Sequence, residues 1–205
     1  MGTRNLTMVQ KDGEYKIAQY GQWDGYPSGN GIDILNFMDG GHELDRLEGS
    51  LANVDWIADE ENQKQWALAG AGETDRWVSM DVAYKHRNMF PENSRDTGAG
   101  ILRIVSNFVP SADRQKLLLQ DTRDFAGDSL FCEWAYVIDF DKRTFEVYEG
   151  FNTEPLNPEE RFYNTARDMD NPEYFQIRLK KSYSLDNLPS REQFLADCEP
   201  EEEEE

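Results

Sequence analysis

The residues best suited to chemistry or binding lie in two short stretches, of which the first is Gln-Trp-Asp-Gly-Tyr-Pro at 22–27. Glycine and proline break up this stretch, so it is predicted to form a shaped loop and not a regular helix or strand. Trp23 and Tyr26 are bulky rings, and Asp24 and Gln22 add polar groups between and before them. Rings of this size on a loop cover either the core or a ligand, and both interpretations stay open.

The second stretch is Ser-Arg-Asp-Thr-Gly-Ala at 94–99, which precedes an apolar row with helical spacing. Ser94 or Asp96 is a candidate N-cap of the predicted helix. At a helix start the free backbone N–H groups favour an anion, so Arg95 and these amides are candidates for an anion-binding site. The alternative is that Asp96 is an ordinary helix cap.

A predicted β-hairpin would bring the chain start beside the first loop. Asp12-Gly13 is a strong signal for a two-residue hairpin turn. Regular pairing around this turn places Arg4 opposite Gly21, next to loop 22–27. We therefore predict an ion pair between Arg4 and Asp24, either as a structural salt bridge or as part of a site. The candidate binding residues are Arg4, Gln22, Trp23, Asp24, Tyr26, Arg95 and Asp96.

Apolar periodicity predicts an α+β fold, with an antiparallel sheet built from the N-terminal hairpin and the late strands, and with helices packed on one face. Predicted strands, besides the hairpin at 5–20, lie at 130–138, 144–148 and 175–180. Predicted helices lie at 32–38, 44–57, 60–69, 77–84, 101–108 and 190–198. The chain is predicted to form one domain over 1–198, followed by a disordered acidic tail at 199–205.

The charge of the chain argues against several classes of partner. The 205 residues include 41 acidic and 21 basic side chains, a formal net charge of −20. A surface for nucleic acid or anionic lipid needs clustered Lys and Arg, so neither partner is expected. A basic protein partner is compatible with this charge; the alternative is that the charge only maintains solubility. No membrane-spanning segment is expected, and the sequence does not predict the oligomeric state.

The usual catalytic and metal-binding motifs are not found. Cys132 and Cys198 form no Cys-x-x-Cys pair, which together with the lack of a signal peptide predicts a reduced, cytoplasmic protein. His42 and His86 lack the spacing of a metal-binding pair. There is neither a phosphate-binding loop with the G-x-x-x-x-G-K-[ST] pattern nor a G-x-S-x-G nucleophile motif. We therefore predict no metal and no cofactor, and the sequence identifies no catalytic residue.

Three stretches of the first half of the chain resemble an uncharacterised family of proteins from bacteriophages, prophages and some fungi. These are Met-Gly-Thr-Arg at 1–4, Gln-Trp-Asp-Gly-Tyr-Pro at 22–27, and Ser-Arg-Asp-Thr-Gly-Ala at 94–99 with Ile-Leu shortly after. Many members of that family begin Met-Ser-Thr-Arg and carry His-Trp-Asp-Gly-Tyr-Pro, so this chain departs at Gly2 and Gln22. The resemblance implies a phage-type context, and it implies no activity.

Two hypotheses about function follow. In the first, the protein is an intracellular acidic interaction protein that binds or inhibits a basic partner, such as a nucleic-acid-handling defence protein. In the second, it is a hydrolase or a small-ligand-binding protein with a pocket between the N-terminus and loop 22–27. Removal of Met1 before Gly2 would leave a free amine near Asp24, and because Gly2 has no side chain this amine could act only as a base.

Overall fold

A computed structural model of the chain describes residues 2–72 and 77–199. These residues contain seven strands: β1 Asn5–Lys11, β2 Glu14–Gly21, β3 Val54–Trp56, β4 Leu117–Leu119, β5 Trp134–Asp139, β6 Thr144–Glu149 and β7 Arg178–Ser184. They also contain six α-helices: α1 Ile32–Met38, α2 Glu43–Ser50, α3 Asp59–Ala69, α4 Met80–Met89, α5 Gly100–Ser106 and α6 Arg191–Cys198. The predicted α+β class is confirmed.

The main sheet has five strands in the order β2-β1-β5-β6-β7. The hairpin and the late strands are antiparallel within each group, as predicted, but β1 joins β5 through a parallel pair. A further parallel pair, β3 with β4, forms a separate two-stranded sheet. The long connections needed between parallel strands hold most of the helices.

The two faces of the main sheet are covered differently. Trp134, Tyr136 and Ile138 of β5 point into a core that they share with α1, α2, α5 and α6. The intervening Ala135 and Val137 pack against a second core under irregular chain, together with side chains such as Leu156, Phe162 and Ile177. Helices α1, α2, α5 and α6 therefore lie on one face of the main sheet. Strand β5 is apolar on both of its faces, because both are buried.

Several predicted elements have different ends in the structure. The predicted helix at 44–57 stops at Ser50, and Val54 begins strand β3, because this segment pairs with Leu117 of β4. The last strand begins at Arg178 and not at Phe175. The last helix is preceded by Ser190, whose hydroxyl accepts the backbone N–H of Gln193 over 3.2 Å and so caps the start of α6.

The C-terminal end of the described chain contacts the body of the fold. The backbone N–H of Ser28 donates to a carboxylate oxygen of Glu199 over 2.9 Å. Glu199 was predicted to begin the disordered tail, so this first residue of the predicted tail is bonded to the domain. The rest of the predicted tail, 200–205, lies outside the described residues.

Candidate functional site

Loop 22–27 and loop 94–99 meet at the open end of the β1–β2 hairpin. The backbone N–H of Gln22 donates to the carbonyl of Arg95 over 2.9 Å, and the indole N–H of Trp23 donates to Asp96 Oδ1 over 3.0 Å. The backbone N–H of Gly25 donates to the carbonyl of Thr3 over 3.0 Å. A Cβ at position 25 would lie only 2.7 Å from that carbonyl oxygen, so this approach requires glycine.

Asn30 holds the two loops to the sheet from inside. Its side-chain amide donates to the Thr7 hydroxyl of β1 over 3.0 Å, and its Oδ1 accepts the backbone N–H of Ala99 over 2.7 Å. Its own backbone N–H donates to the carbonyl of Asp24 over 2.8 Å. Asn30 therefore joins strand β1, loop 22–27 and loop 94–99. It makes no capping bond at the start of α1.

The predicted ion pair between Arg4 and Asp24 is not formed, because the hairpin register differs from the regular one. A β-bulge between Val9 and Gln10 shifts the pairing by one residue, so Asn5 and not Arg4 lies opposite Gly21. Asn5 donates through its side-chain amide to the carbonyl of Trp23 over 3.2 Å. The Arg4 guanidinium instead lies over the ring of Phe131, 4.5 Å from the centre of that ring.

We expect Arg4→Ala and Asp24→Asn to act independently on stability. Asp24 is exposed, and the nearest identified partner of Arg4 is the Phe131 ring, so each change should lower the free energy of unfolding by less than about 1 kcal/mol. Urea unfolding of the two single variants and the double variant measures the coupling. The effects should add to within about 0.5 kcal/mol; a coupling above that would mean that the two side chains do pair.

Asp96 is not a helix cap in the structure but the centre of a small polar cluster. The N-cap position of α5 belongs to Ala99. Asp96 Oδ1 accepts the hydrogen bond from the Trp23 indole N–H, and Asp96 Oδ2 accepts one from the Arg87 guanidinium over 3.2 Å. Both oxygens are thus occupied, and Asp96 ties loop 22–27 to helix α4. Its neighbour Arg95 is exposed, and the guanidinium has no hydrogen-bond or ion-pair partner in the described part of the chain.

Two cavities adjoin this cluster. The smaller, of about 250 Å³, is lined by the predicted residues Trp23, Asp24, Arg95 and Asp96. The larger, of about 750 Å³, lies between strand β2, helices α3 and α4, and the start of loop 94–99. Arg95 and Asp96 line both cavities. The larger volume falls within the range of ordinary small-molecule sites, about 300–1,000 Å³.

Aromatic side chains from α3 and α4 form much of the wall of the larger cavity. The Trp66 indole stacks on the His86 imidazole with ring centres 3.7 Å apart and planes at 10°. Tyr84, two residues before His86 on α4, also lines the cavity, and the Arg87 guanidinium lies 5.0 Å from the centre of the Tyr84 ring. Trp77, just before α4, also lines the cavity and is 91% exposed. These rings present flat apolar faces beside charged groups.

His86 is the most deeply buried of the polar residues that line the larger cavity. The residue is only 1% exposed, and its Nε2 atom has no hydrogen-bond partner within the described residues. Burial lowers the pKa of His86 below its usual 6.5, so the imidazole is neutral at neutral pH. A neutral imidazole offers one donor and one acceptor nitrogen. A buried polar atom without a partner costs about 1–3 kcal/mol, which a bound group that pairs with it would recover.

Tyr20 connects the predicted site to the larger cavity. Its hydroxyl donates to the side-chain oxygen of Gln22 over 2.8 Å, and its ring lines the cavity. Burial raises the pKa of Tyr20, and the positive charges of Arg4 and Arg95 act in the opposite direction. Both guanidinium groups are therefore close enough to act on this hydroxyl.

The structure brings five of the predicted residues together and leaves two aside. Gln22, Trp23, Asp24, Arg95 and Asp96 lie at the meeting point of the loops. Arg4 and Tyr26 line neither cavity, and half of Tyr26 is exposed to solvent.

Sequence reasoning missed the part of the site that helices α3 and α4 contribute. The residues missed on these helices are Trp66, Tyr84, His86 and Arg87, and two more lie nearby, Gln19 on β2 and Trp77 just before α4. The available signal was the apolar stretch before and within α4, in which aromatic residues recur without a clean helical period. Such a pattern indicates rings on more than the core-facing side.

Among the described residues, no helix is long and apolar enough to span a bilayer. In the same part of the chain, no group of three or more histidine, cysteine, aspartate or glutamate side chains is placed to hold a metal ion.

Comparison with known proteins adds no relative. No family model, no curated protein and no solved structure matches the chain.

Proposed function

We propose that the protein binds a small ligand in the larger cavity, beside the junction of loops 22–27 and 94–99. The observation that carries the proposal is a cavity of about 750 Å³ that is lined by aromatic rings and by His86, a buried residue whose Nε2 has no hydrogen-bond partner in the described residues. Pockets of this kind combine apolar walls with a few placed polar groups, which fix the orientation of the ligand. The site is displaced from the expected one, because the N-terminus does not line it.

The proposal is for binding and assigns no reaction. A hydrolytic nucleophile needs a base within hydrogen-bond reach. In the described residues, neither His42 nor His86 is hydrogen-bonded to a hydroxyl or thiol group, and both cysteines are buried. The proposed role of His86 is therefore to pair with a polar atom of the ligand.

A thermal-shift screen against a diverse set of metabolites tests this proposal. A ligand at 100 times its Kd stabilises the folded state by about 2.7 kcal/mol, which raises the Tm of a chain of this size by roughly 5–10 °C. We expect Ala83→Phe, which fills the cavity from α4, to abolish the shift. Ala67→Phe, an exposed change on α3 outside the cavity, is the matched control and should keep it. A shift that survives in Ala83→Phe would place binding elsewhere.

A second candidate function is supported by the net charge of −20. As an acidic interaction protein of phage type, the chain would bind or inhibit a basic protein, and its charge would speed the encounter. This role belongs in the cytoplasm, in keeping with two cysteines that are both free thiols.

Salt dependence separates charge-driven partner binding from other kinds. In a pull-down from host lysate, a partner held by charge should be captured at about 50 mM salt and largely lost at about 500 mM, because the screening length falls severalfold over this range. Reversing charge on the partner should slow association more than it speeds dissociation. Partners retained equally at both salt concentrations would indicate an apolar interface and contradict this second candidate.

A further inference from the structure

We infer that the ligand of the larger cavity is a planar aromatic molecule that carries a negative charge. This inference rests on the proposed function and specifies the class of compound. Three features of the cavity carry it: unused aromatic faces, an unpaired guanidinium at the rim, and a neutral buried imidazole with a free nitrogen. Each feature selects for a different part of the ligand.

The aromatic faces select for a flat ring. Trp77 and Tyr84 line the cavity, and more than half of each side chain is exposed to solvent. Large rings left in water on a folded protein are unfavourable unless something covers them. A planar ligand can stack flat on an exposed ring and cover it, whereas a branched aliphatic molecule would contact the ring over a smaller area.

The charged groups select for an anion. Arg87, Arg95 and Asp96 line the cavity, and Arg87 and Asp96 neutralise each other by pairing. Arg95 is left as a positive charge without a partner in the described chain. The cavity therefore carries a local excess of one positive charge in a protein whose net charge is −20. A guanidinium fork matches a carboxylate or phosphate group.

The overall negative charge does not prevent an anion from binding at this point. Exposed charges farther away than about 8–10 Å are largely screened at physiological salt. The contact with Arg95 acts over a few ångströms and is screened much less. The net charge should slow the approach of the ligand, so affinity here depends on direct contact and not on electrostatic steering.

His86 adds selectivity for a ring with a heteroatom or a polar substituent. His86 lines the cavity, its buried Nε2 has no partner in the described residues, and burial lowers its pKa, so the neutral ring does not compete with Arg95 as a positive charge. The ring is fixed by stacking on Trp66 and lies 5.5 Å from Phe90 between ring centres. A polar atom of the ligand ring that forms a hydrogen bond with Nε2 would give this nitrogen the partner that it lacks.

Two matched probe sets test the ring and the charge separately by calorimetry. The first set is AMP, adenosine and ribose 5-phosphate, and the second is indole-3-acetate, indole-3-acetamide and acetate. We expect the aromatic anion of at least one set to bind at least 10-fold more tightly than its neutral ring and its non-aromatic anion. If in both sets the neutral ring binds as tightly as the aromatic anion, or if neither set binds, the inference is overturned.

Variants locate the contacts. Arg95→Gln should weaken binding of the aromatic anion at least 10-fold and change binding of the neutral ring by less than 2-fold. Arg143→Gln removes an exposed guanidinium that pairs with Asp186 far from the cavity, and it should change neither affinity. An unchanged affinity of the anion for Arg95→Gln would overturn the assigned charge contact.

A histidine signal reports on the cavity without depending on catalysis. The chain has only two histidines, and His42 is 96% exposed in its side chain, so His42→Gln leaves His86 as the single imidazole. Its ring resonances should shift on addition of the aromatic anion. No shift at a saturating concentration would exclude His86 from the site.

These results also separate the inference from the proposed function. If the metabolite screen yields cationic or aliphatic ligands whose shift is lost in Ala83→Phe, the cavity binds ligands but the aromatic-anion class is wrong. If no compound in either experiment binds, both are wrong.

Discussion

Arg161→Ala is expected to lower the free energy of unfolding by about 3–5 kcal/mol, the usual cost of removing one partner from a buried ion cluster. The Arg161 side chain is 7% exposed and lies between Asp139, which is fully buried, and Glu146, also 7% exposed. The guanidinium Nε donates to Glu146 over 2.8 Å, and another nitrogen donates to Asp139. Without it, two carboxylates on neighbouring strands are buried with no countercharge.

The cluster extends beyond the two ion pairs, so its loss affects several elements. The Tyr148 hydroxyl donates to Glu146 over 2.5 Å, and Arg161 also donates to the side chain of Gln10 on β1. Arg161 itself comes from the irregular connection between β6 and β7. It thereby fastens that connection to three strands of the sheet. Urea unfolding at neutral pH measures the cost.

The effect of Arg161→Ala should diminish as the pH falls. Burial raises the pKa of Glu146, but hydrogen bonds and charge from Arg161 outweigh burial, and the net pKa is below 4.5. In the native protein the stabilisation that comes from the Arg161–Glu146 pair is fully present above the ordinary pKa of a glutamate. It is lost as the pH falls through the lowered pKa of Glu146. In the variant the hydrogen bonds from Tyr148 and Thr144 remain, but the Arg161 charge no longer offsets burial, so the destabilisation is greatest at neutral pH and is relieved as Glu146 becomes protonated.

Arg143→Ala is the matched control. Arg143 also pairs with a carboxylate, Asp186, but in an exposed position, so its removal should leave the urea midpoint nearly unchanged. If Arg161→Ala were as mild as Arg143→Ala, the buried cluster would contribute no more than a surface salt bridge.

The parts of the fold that sequence predicted well are specified by local chemistry. Asp12 and Gly13 adopt positive φ angles of 56° and 75°, as a two-residue hairpin turn demands, and the Ser190 hydroxyl caps the start of α6. These signals act within a few residues and need no knowledge of the rest of the chain. The strands β5 and β6 were similarly visible, because buried apolar runs and a short turn identify them.

The parts that were missed depend on distant residues. The bulge at Val9 and Gln10 lies where Gln10 receives the guanidinium of Arg161, which is 151 residues away. The carboxylate of Asp141 accepts the backbone N–H groups of Asp12 and Gly13 over 2.8 and 2.9 Å, so the turn is held by the next strand pair. A shift of one residue in the hairpin register separates Arg4 from Asp24, and no local sequence pattern specifies such a shift.

The candidate site shows the same division. Composition alone singled out loops 22–27 and 94–99, but it did not predict that they meet, and the contact between Trp23 and Asp96 comes from the fold. The cavity wall formed by α3 and α4 was not expected, because its key feature is the packing of Trp66 on His86, 20 residues apart and in different helices. Stacking of this kind depends on how the two helices cross.

Asn30→Ala is expected to lower the free energy of unfolding by about 3 kcal/mol, at the upper end of the usual cost of stranding buried polar groups. The change removes the acceptor for the Ala99 backbone N–H and the donor to the Thr7 hydroxyl, both of which are buried. Alanine can replace neither bond. Urea unfolding again gives the magnitude.

The same change should also weaken ligand binding, because Asn30 holds the backbone of loop 94–99 at Ala99, three residues after Asp96, without lining the larger cavity. Asn36→Ala, an exposed change on the adjoining helix α1, is the control and should alter stability by less than about 0.5 kcal/mol. If Asn30→Ala matched this control in stability, the two loops would be held by their backbone contacts alone. If it were destabilised but bound ligand normally, the cavity would be formed independently of the junction, and Trp23 and Asp24 would serve the scaffold only.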